Sequence, residues 1–129
     1  MMEFHLDTRS GVAPYLQLVQ QVRQALRLGL LSEGDRLPTV KDVAAQVAVN
    51  PNTVLKAYRE LEHQGLAAPK PGVGTFVTGT LGDLSPAEHE PLRRELRRWL
   101  GRARAAGLDE EGIEALFRTT FRTHIEEET

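Results

Sequence analysis

The stretch VNPNTVLKAYREL, Val49 to Leu61, decides how the rest of the chain is read. Asn50 is a good N-cap, and Pro51 suits the first helical position, where its missing N–H has no partner to lose. Stepping about 100° per residue puts Val54, Ala57, Tyr58 and Leu61 within roughly 100° of arc, a core-facing stripe. Asn52, Lys56, Arg59 and His63 fall on the opposite side, with Thr53 at its edge, and no acid stands in the first turn. That outward face suits an anionic surface. Short amide and hydroxyl side chains can approach base edges, as asparagine does with adenine in a major groove. Longer cations reach phosphates, and the free N–H groups and partial positive charge of the helix start favour them too. Taken alone, the same helix also fits a well-capped, solvated surface helix, so its neighbours matter.

Upstream, Pro14 opens a first helix whose apolar positions Tyr15, Leu18, Val19, Val22, Ala25, Leu26 and Leu30 recur at three- and four-residue intervals up to Leu31. Ser32-Glu33-Gly34-Asp35 reads as a turn, and Arg36-Leu37 before Pro38 is pushed toward extended geometry. Thr39 caps a short second helix, with Asp42 three residues on, and Val40, Val43, Ala44 and Val47 share one side of it. The tight link Ala48-Val49 joins it to the helix at Asn50, which runs to Gln64 and stops at Gly65. Two short helices joined so closely read as a helix-turn-helix. Behind it, AAPKPGVGTFV holds two short extended runs around Pro71-Gly72-Val73-Gly74, a hairpin placed as a wing. Because Thr75-Phe76-Val77 continues as a strand and no Lys-Ser/Thr follows, the glycines fit a bend and not a nucleotide-cradling loop.

A boundary is expected near Gly79 to Asp83, dividing a winged helix-turn-helix over 1–80 from a helical tail over 81–129. In the tail, Ser85-Pro86-Ala87-Glu88 opens one helix reaching about Ala106, and Asp109 caps another running to about Glu126. Leu92, Leu96, Trp99, Leu100 and Ala103 form one apolar stripe, and Ile113, Leu116, Phe117, Phe121 and Ile125 form a second. Two helices on so small a body need another surface to bury both stripes, either the first helix or a second subunit. A lone helix-turn-helix also reads few base pairs, and dimers answer this with two half-sites. A homodimer through Leu92, Leu96, Trp99, Leu100, Ile113, Leu116, Phe117 and Phe121 is therefore expected. Arg93, Arg94, Arg97 and Arg98 interleave with Glu90 and Glu95, the pattern of a solvated, ion-paired face.

The 129 residues carry a net charge of −2, which conceals +1 over residues 1–80 and −3 over residues 81–129. Charge thus permits a nucleic-acid partner without establishing one. With no cysteine, disulfides, thiolate metal sites and cysteine nucleophiles are excluded. His5, His63, His89 and His124 lack metal-ligand spacing, and no catalytic set is identifiable by motif, so neither a cofactor nor an enzymatic activity is expected. No segment approaches the roughly 18 to 20 apolar residues of a membrane span. The opening MMEFHLDTRSG lacks the basic region and apolar run of a secretion signal, so a cytoplasmic location is expected.

The run from Gly34 to Val77 closely resembles the DNA-binding half of GntR-family bacterial transcription regulators. It carries that family's G-x-x-LP-S/T, N-P-N-T, Y-x-x-L-E-x-x-G and GxGTFV patterns. The short helical tail, without a large effector domain, resembles the YtrA-like branch, whose members look like dimeric repressors, often of ABC-type transporter operons. The resemblance implies a mainly α fold with a small β-hairpin, a winged helix-turn-helix followed by a two-helix dimerisation element. It implies DNA contacts from Arg36 and Lys41 near the second helix, and from Asn50, Asn52, Thr53 and Lys56 at the recognition helix. Lys70, Gly72 and Gly74 would meet the minor groove or backbone, and Thr39 would cap and meet a phosphate. Arg59 joins them from its place on the outward face. Pro51 stands where some relatives carry an arginine, so base preferences from other branches do not transfer. The partners expected are double-stranded DNA, a second copy of the chain and an unidentified small-molecule effector. A winged-helix protein–protein module and a small nucleotide-binding enzyme are the alternatives.

Overall fold

A computed structural model describes residues 2–82 and 84–128, with the backbone alone at position 86. Its elements run α1 (Pro14–Arg27), α2 (Val40–Val47), α3 (Pro51–His63), β1 (Ala67–Lys70), β2 (Gly74–Val77), α4 (Pro86–Ala105) and α5 (Glu110–Glu128). They group into two compact units, Met1–Pro86 and Ala87–Thr129. Of the expected boundary stretch, Asp83 lies outside the described residues. Leu81 still packs on the first unit's core, and its carbonyl accepts from the Arg27 guanidinium at 3.3 Å.

The first unit is built around the stripes that periodicity predicts. Leu18, Val22 and Leu26 of α1, Val43 of α2, and Val54, Ala57, Tyr58 and Leu61 of α3 are buried together with Leu37, Leu66 and Val77. At about 25 cal/mol per Å² of apolar surface, each large side chain here contributes roughly 1.5–3 kcal/mol. Both caps form as expected: Thr39 Oγ1 accepts from the Asp42 N–H at 3.1 Å, and Asn50 Oδ1 from the Asn52 N–H at 2.8 Å. α3 ends as expected, with Gly65 at φ 76° and the Leu66 N–H returned to the Leu61 carbonyl at 2.9 Å.

α1 is shorter than the apolar period suggests. It stops at Arg27, and Leu30 is 56% exposed rather than on the core stripe. The cause is Gly29, at φ 74°, which reverses the chain so that the Leu30 and Leu31 N–H groups both reach the Ala25 carbonyl. A Cβ on Gly29 would lie 2.1 Å from the Leu84 carbonyl oxygen, so the same glycine admits a close backbone crossing.

Residues 2–7, which carry no helical or strand period, are nevertheless tied down. Phe4 is buried, and its N–H donates to Gln46 Oε1 at 3.1 Å. Buried Gln17 accepts from the Asp7 N–H at 2.8 Å and donates to the Asp7 and Val12 carbonyls, each at 2.9 Å. In the second unit, Gly107 turns the chain at φ 96°, and the Asp109 side chain caps α5 by accepting from the Gly112 N–H at 2.8 Å. Pro91 lies inside α4, where it removes one N–H donor from the helix ladder. No described helix is long and apolar enough to cross a membrane.

Candidate nucleic-acid interface

α3 is divided cleanly along its length. Val54, Ala57 and Leu61 have no measurable exposure and Tyr58 only 2%, whereas Asn50, Asn52, Lys56, Arg59 and His63 are exposed and Thr53 is half-buried. The helix is locked from its inner side. The Tyr58 phenol donates to the Pro38 carbonyl, pinning α3 to the loop that leads into α2. Burial pushes that phenol's pKa well above its usual range, because the phenolate would lose its hydration. A helix held so firmly on one face presents a rigid polar surface on the other.

The wing is broader than a hairpin. β1 and β2 pair antiparallel, Ala67 opposite Val77 through Lys70 opposite Gly74. Residues 34–37 add a third extended segment: the Leu37 N–H donates to Thr75 O at 2.9 Å, and the Val77 N–H to Asp35 O at 2.8 Å. Arg36 pairs with Phe76 in this arrangement, which sets it beside the wing. Gly74, at φ 149°, makes room for it, since a Cβ there would stand 2.7 Å from Arg36 Nε. A Cβ on Gly72, at φ 75°, would meet nothing within 4 Å, so within the chain the turn is what calls for glycine there.

Arg36, Thr39, Lys41, Asn50, Asn52, Lys56, Arg59, Lys70 and Gly72 are all exposed, while Thr53 and Gly74 are half-buried. Among the described residues, none of these cations has a carboxylate within ion-pair distance. Two of them instead sit over aromatic rings: Lys56 Nζ is 4.1 Å from the Tyr15 ring centroid, and Lys70 Nζ 4.5 Å from that of Phe76. Tyr15 packs at the edge of the core, as its place on the apolar stripe predicts, and its half-buried ring also lies under a recognition-helix cation. Sequence reasoning had no signal for this, because residues 41 positions apart meet only when α1 packs on α3.

In the second unit, Leu96, Trp99 and Leu100 face Ile113, Phe117, Phe121 and Ile125 across an open groove of about 850 Å³. The Phe117 and Phe121 rings stack with centroids 5.9 Å apart. Leu92 and Leu116, at 57% and 43% exposure, lie outside that groove, and α5 buries no residue at all. Of the interleaved charges on α4, Arg93 and Glu90 approach to 3.9 Å.

Residues 14–77 match the family of bacterial regulatory proteins called the gntR family. The chain is 33% identical over 109 residues to the HTH-type transcriptional repressor YtrA of Bacillus subtilis, covering 84% of each protein. The chain belongs to the GntR family. It is a DNA-binding transcriptional regulator, not an enzyme. YtrA from Sulfolobus acidocaldarius, a GntR-family transcription factor, superposes with a TM-score of 0.54 at 28% identity, over 77% of this chain and 94% of that one. The AraR DNA-binding domain, solved in complex with operator ORE1, superposes with a TM-score of 0.51 at 26% identity, over 60% of this chain and 95% of that one. The mainly helical winged-helix fold with its two-stranded hairpin is thus shared with family members.

Proposed function

We propose that this GntR-family regulator is a cytoplasmic, dimeric repressor that occludes a promoter by seating α3 of each subunit in a major groove. The single observation that carries this reading is the open outer face of α3, amides first and cations after, over an inner face sealed in the core. Residues 1–80 supply the DNA-binding domain and residues 81–129 the dimerisation tail. Asn52 and Thr53 read base edges, with Asn50 at the cap. Lys56, Arg59, Lys41 and Thr39 meet phosphates, and Arg36, Lys70, Gly72 and Gly74 carry the wing contacts. The unburied apolar side chains of α4 and α5 support a second copy as the tail's partner. An operator controlling a transporter operon, and a small molecule that alters the angle between DNA-binding halves, complete the proposal.

Footprinting the purified protein on DNA upstream of its own gene tests it directly. Two protected half-sites about one helical turn apart are expected. Log affinity should fall linearly with log salt, by about 0.9 per phosphate neutralised. A protein that protects no site and shows no salt-dependent affinity for DNA would overturn this reading in favour of a winged-helix protein–protein module.

A further inference from the structure

We infer that Tyr15 is a positioning residue for DNA binding, its ring holding the Lys56 ammonium in place on the outer face of α3. This inference rests on the reading of Lys56 as a phosphate contact. Lysine has a flexible four-carbon stem, so an exposed ammonium ordinarily explores many rotamers and loses that freedom when it meets a phosphate. Here Nζ stands 4.1 Å from the Tyr15 ring centroid, within the range at which a cation is drawn to an aromatic face. Among the described residues no carboxylate competes for it within ion-pair distance. The ring itself is anchored. Tyr15 is half-buried in the first turn of α1, packs against the core, and α1 lies directly against α3. A ring engages the ammonium from one side and does not neutralise it, whereas a carboxylate would cancel the charge that a phosphate needs. Lys56 therefore arrives at DNA already placed, with no acidic side chain offsetting its charge among the described residues. Lys70 over Phe76 on the wing repeats the arrangement.

The test is a double-mutant cycle on operator affinity in the full-length protein, with melting temperature followed for each variant. Tyr15→Leu is expected to raise Kd about threefold while leaving the salt slope close to wild type, because the charge survives. Tyr15→Phe keeps the ring face and should bind like wild type. In a Lys56→Ala background, Tyr15→Leu should cause no further loss. The ring current should also shift the Lys56 ε-methylene protons upfield in the free protein, a signature readable even if Tyr15→Leu folds poorly. The inference is overturned if that shift is absent, if Tyr15→Leu costs as much without Lys56 as with it, or if Tyr15→Phe binds as weakly as Tyr15→Leu, which would assign the role to the hydroxyl. If Lys56→Ala alone leaves affinity and salt slope unchanged, Lys56 is no phosphate contact and the underlying reading of the interface fails with it.

Discussion

α3 and α5 are both amphipathic, yet they solve opposite problems. α3 buries Val54, Ala57, Tyr58 and Leu61 to 2% exposure or less inside its own unit, and so is free to offer its other face. α5 buries nothing, leaving Phe117 and Phe121 at 50% and 57% exposure. Exposed large apolar side chains grouped in this way mark a surface that meets another surface. In one helix the polar side is what remains to be satisfied; in the other it is the apolar side. The proposed reading, a regulator that binds DNA on one surface and a second copy of itself on another, calls for one of each.

This contrast can be broken most forcefully in the core. Leu61→Ala should lower stability by about 2–5 kcal/mol, read by chemical denaturation, because it leaves a cavity behind a sealed face. Phe121→Ala removes a larger side chain, yet should leave the melting of the first unit nearly unchanged. Phe117→Glu with Phe121→Glu should convert a dimer to a monomer in sedimentation. Should the double variant sediment like wild type, the tail's apolar face has some other occupant. Next in size, Asn52→Ala should cost about 1–3 kcal/mol of specific binding and relax base preference, measured against operator variants. Lys56→Ala should instead weaken binding to all sequences and reduce the salt slope by about 1. Asn50→Ala removes the α3 cap and should cost about 1 kcal/mol of stability in thermal melts.

Tyr58 gives a pH test of the inner face. Its folded pKa lies above its ordinary 10.0, so folding favours the protonated phenol. The stability it contributes is complete below pH 10 and is lost as pH rises beyond that value, since only the unfolded chain then releases the proton. Denaturation midpoints should fall above pH 10 more steeply in wild type than in Tyr58→Phe, a variant that also strands the Pro38 carbonyl without its donor.

Local chemistry was sufficient for the caps at Thr39 and Asn50, the stop at Gly65 and the strand–turn–strand of the wing. Each depends on residues within a few positions of one another, where hydrogen-bond geometry and allowed φ leave few alternatives. Helical period likewise separated the two faces of α3, because side-chain direction follows directly from rotation per residue. Only the tertiary structure decided the features that join distant segments. The Gly29 turn that ends α1 also admits the backbone at Leu84, Arg36 joins the wing beside Gly74, and Gln17 and Gln46 bind the N-terminal arm. Lys56 finds Tyr15 only once α1 and α3 have packed. Periodicity states which face of a helix is apolar, but not which partner covers it, because that depends on loop paths and packing between residues far apart in the chain.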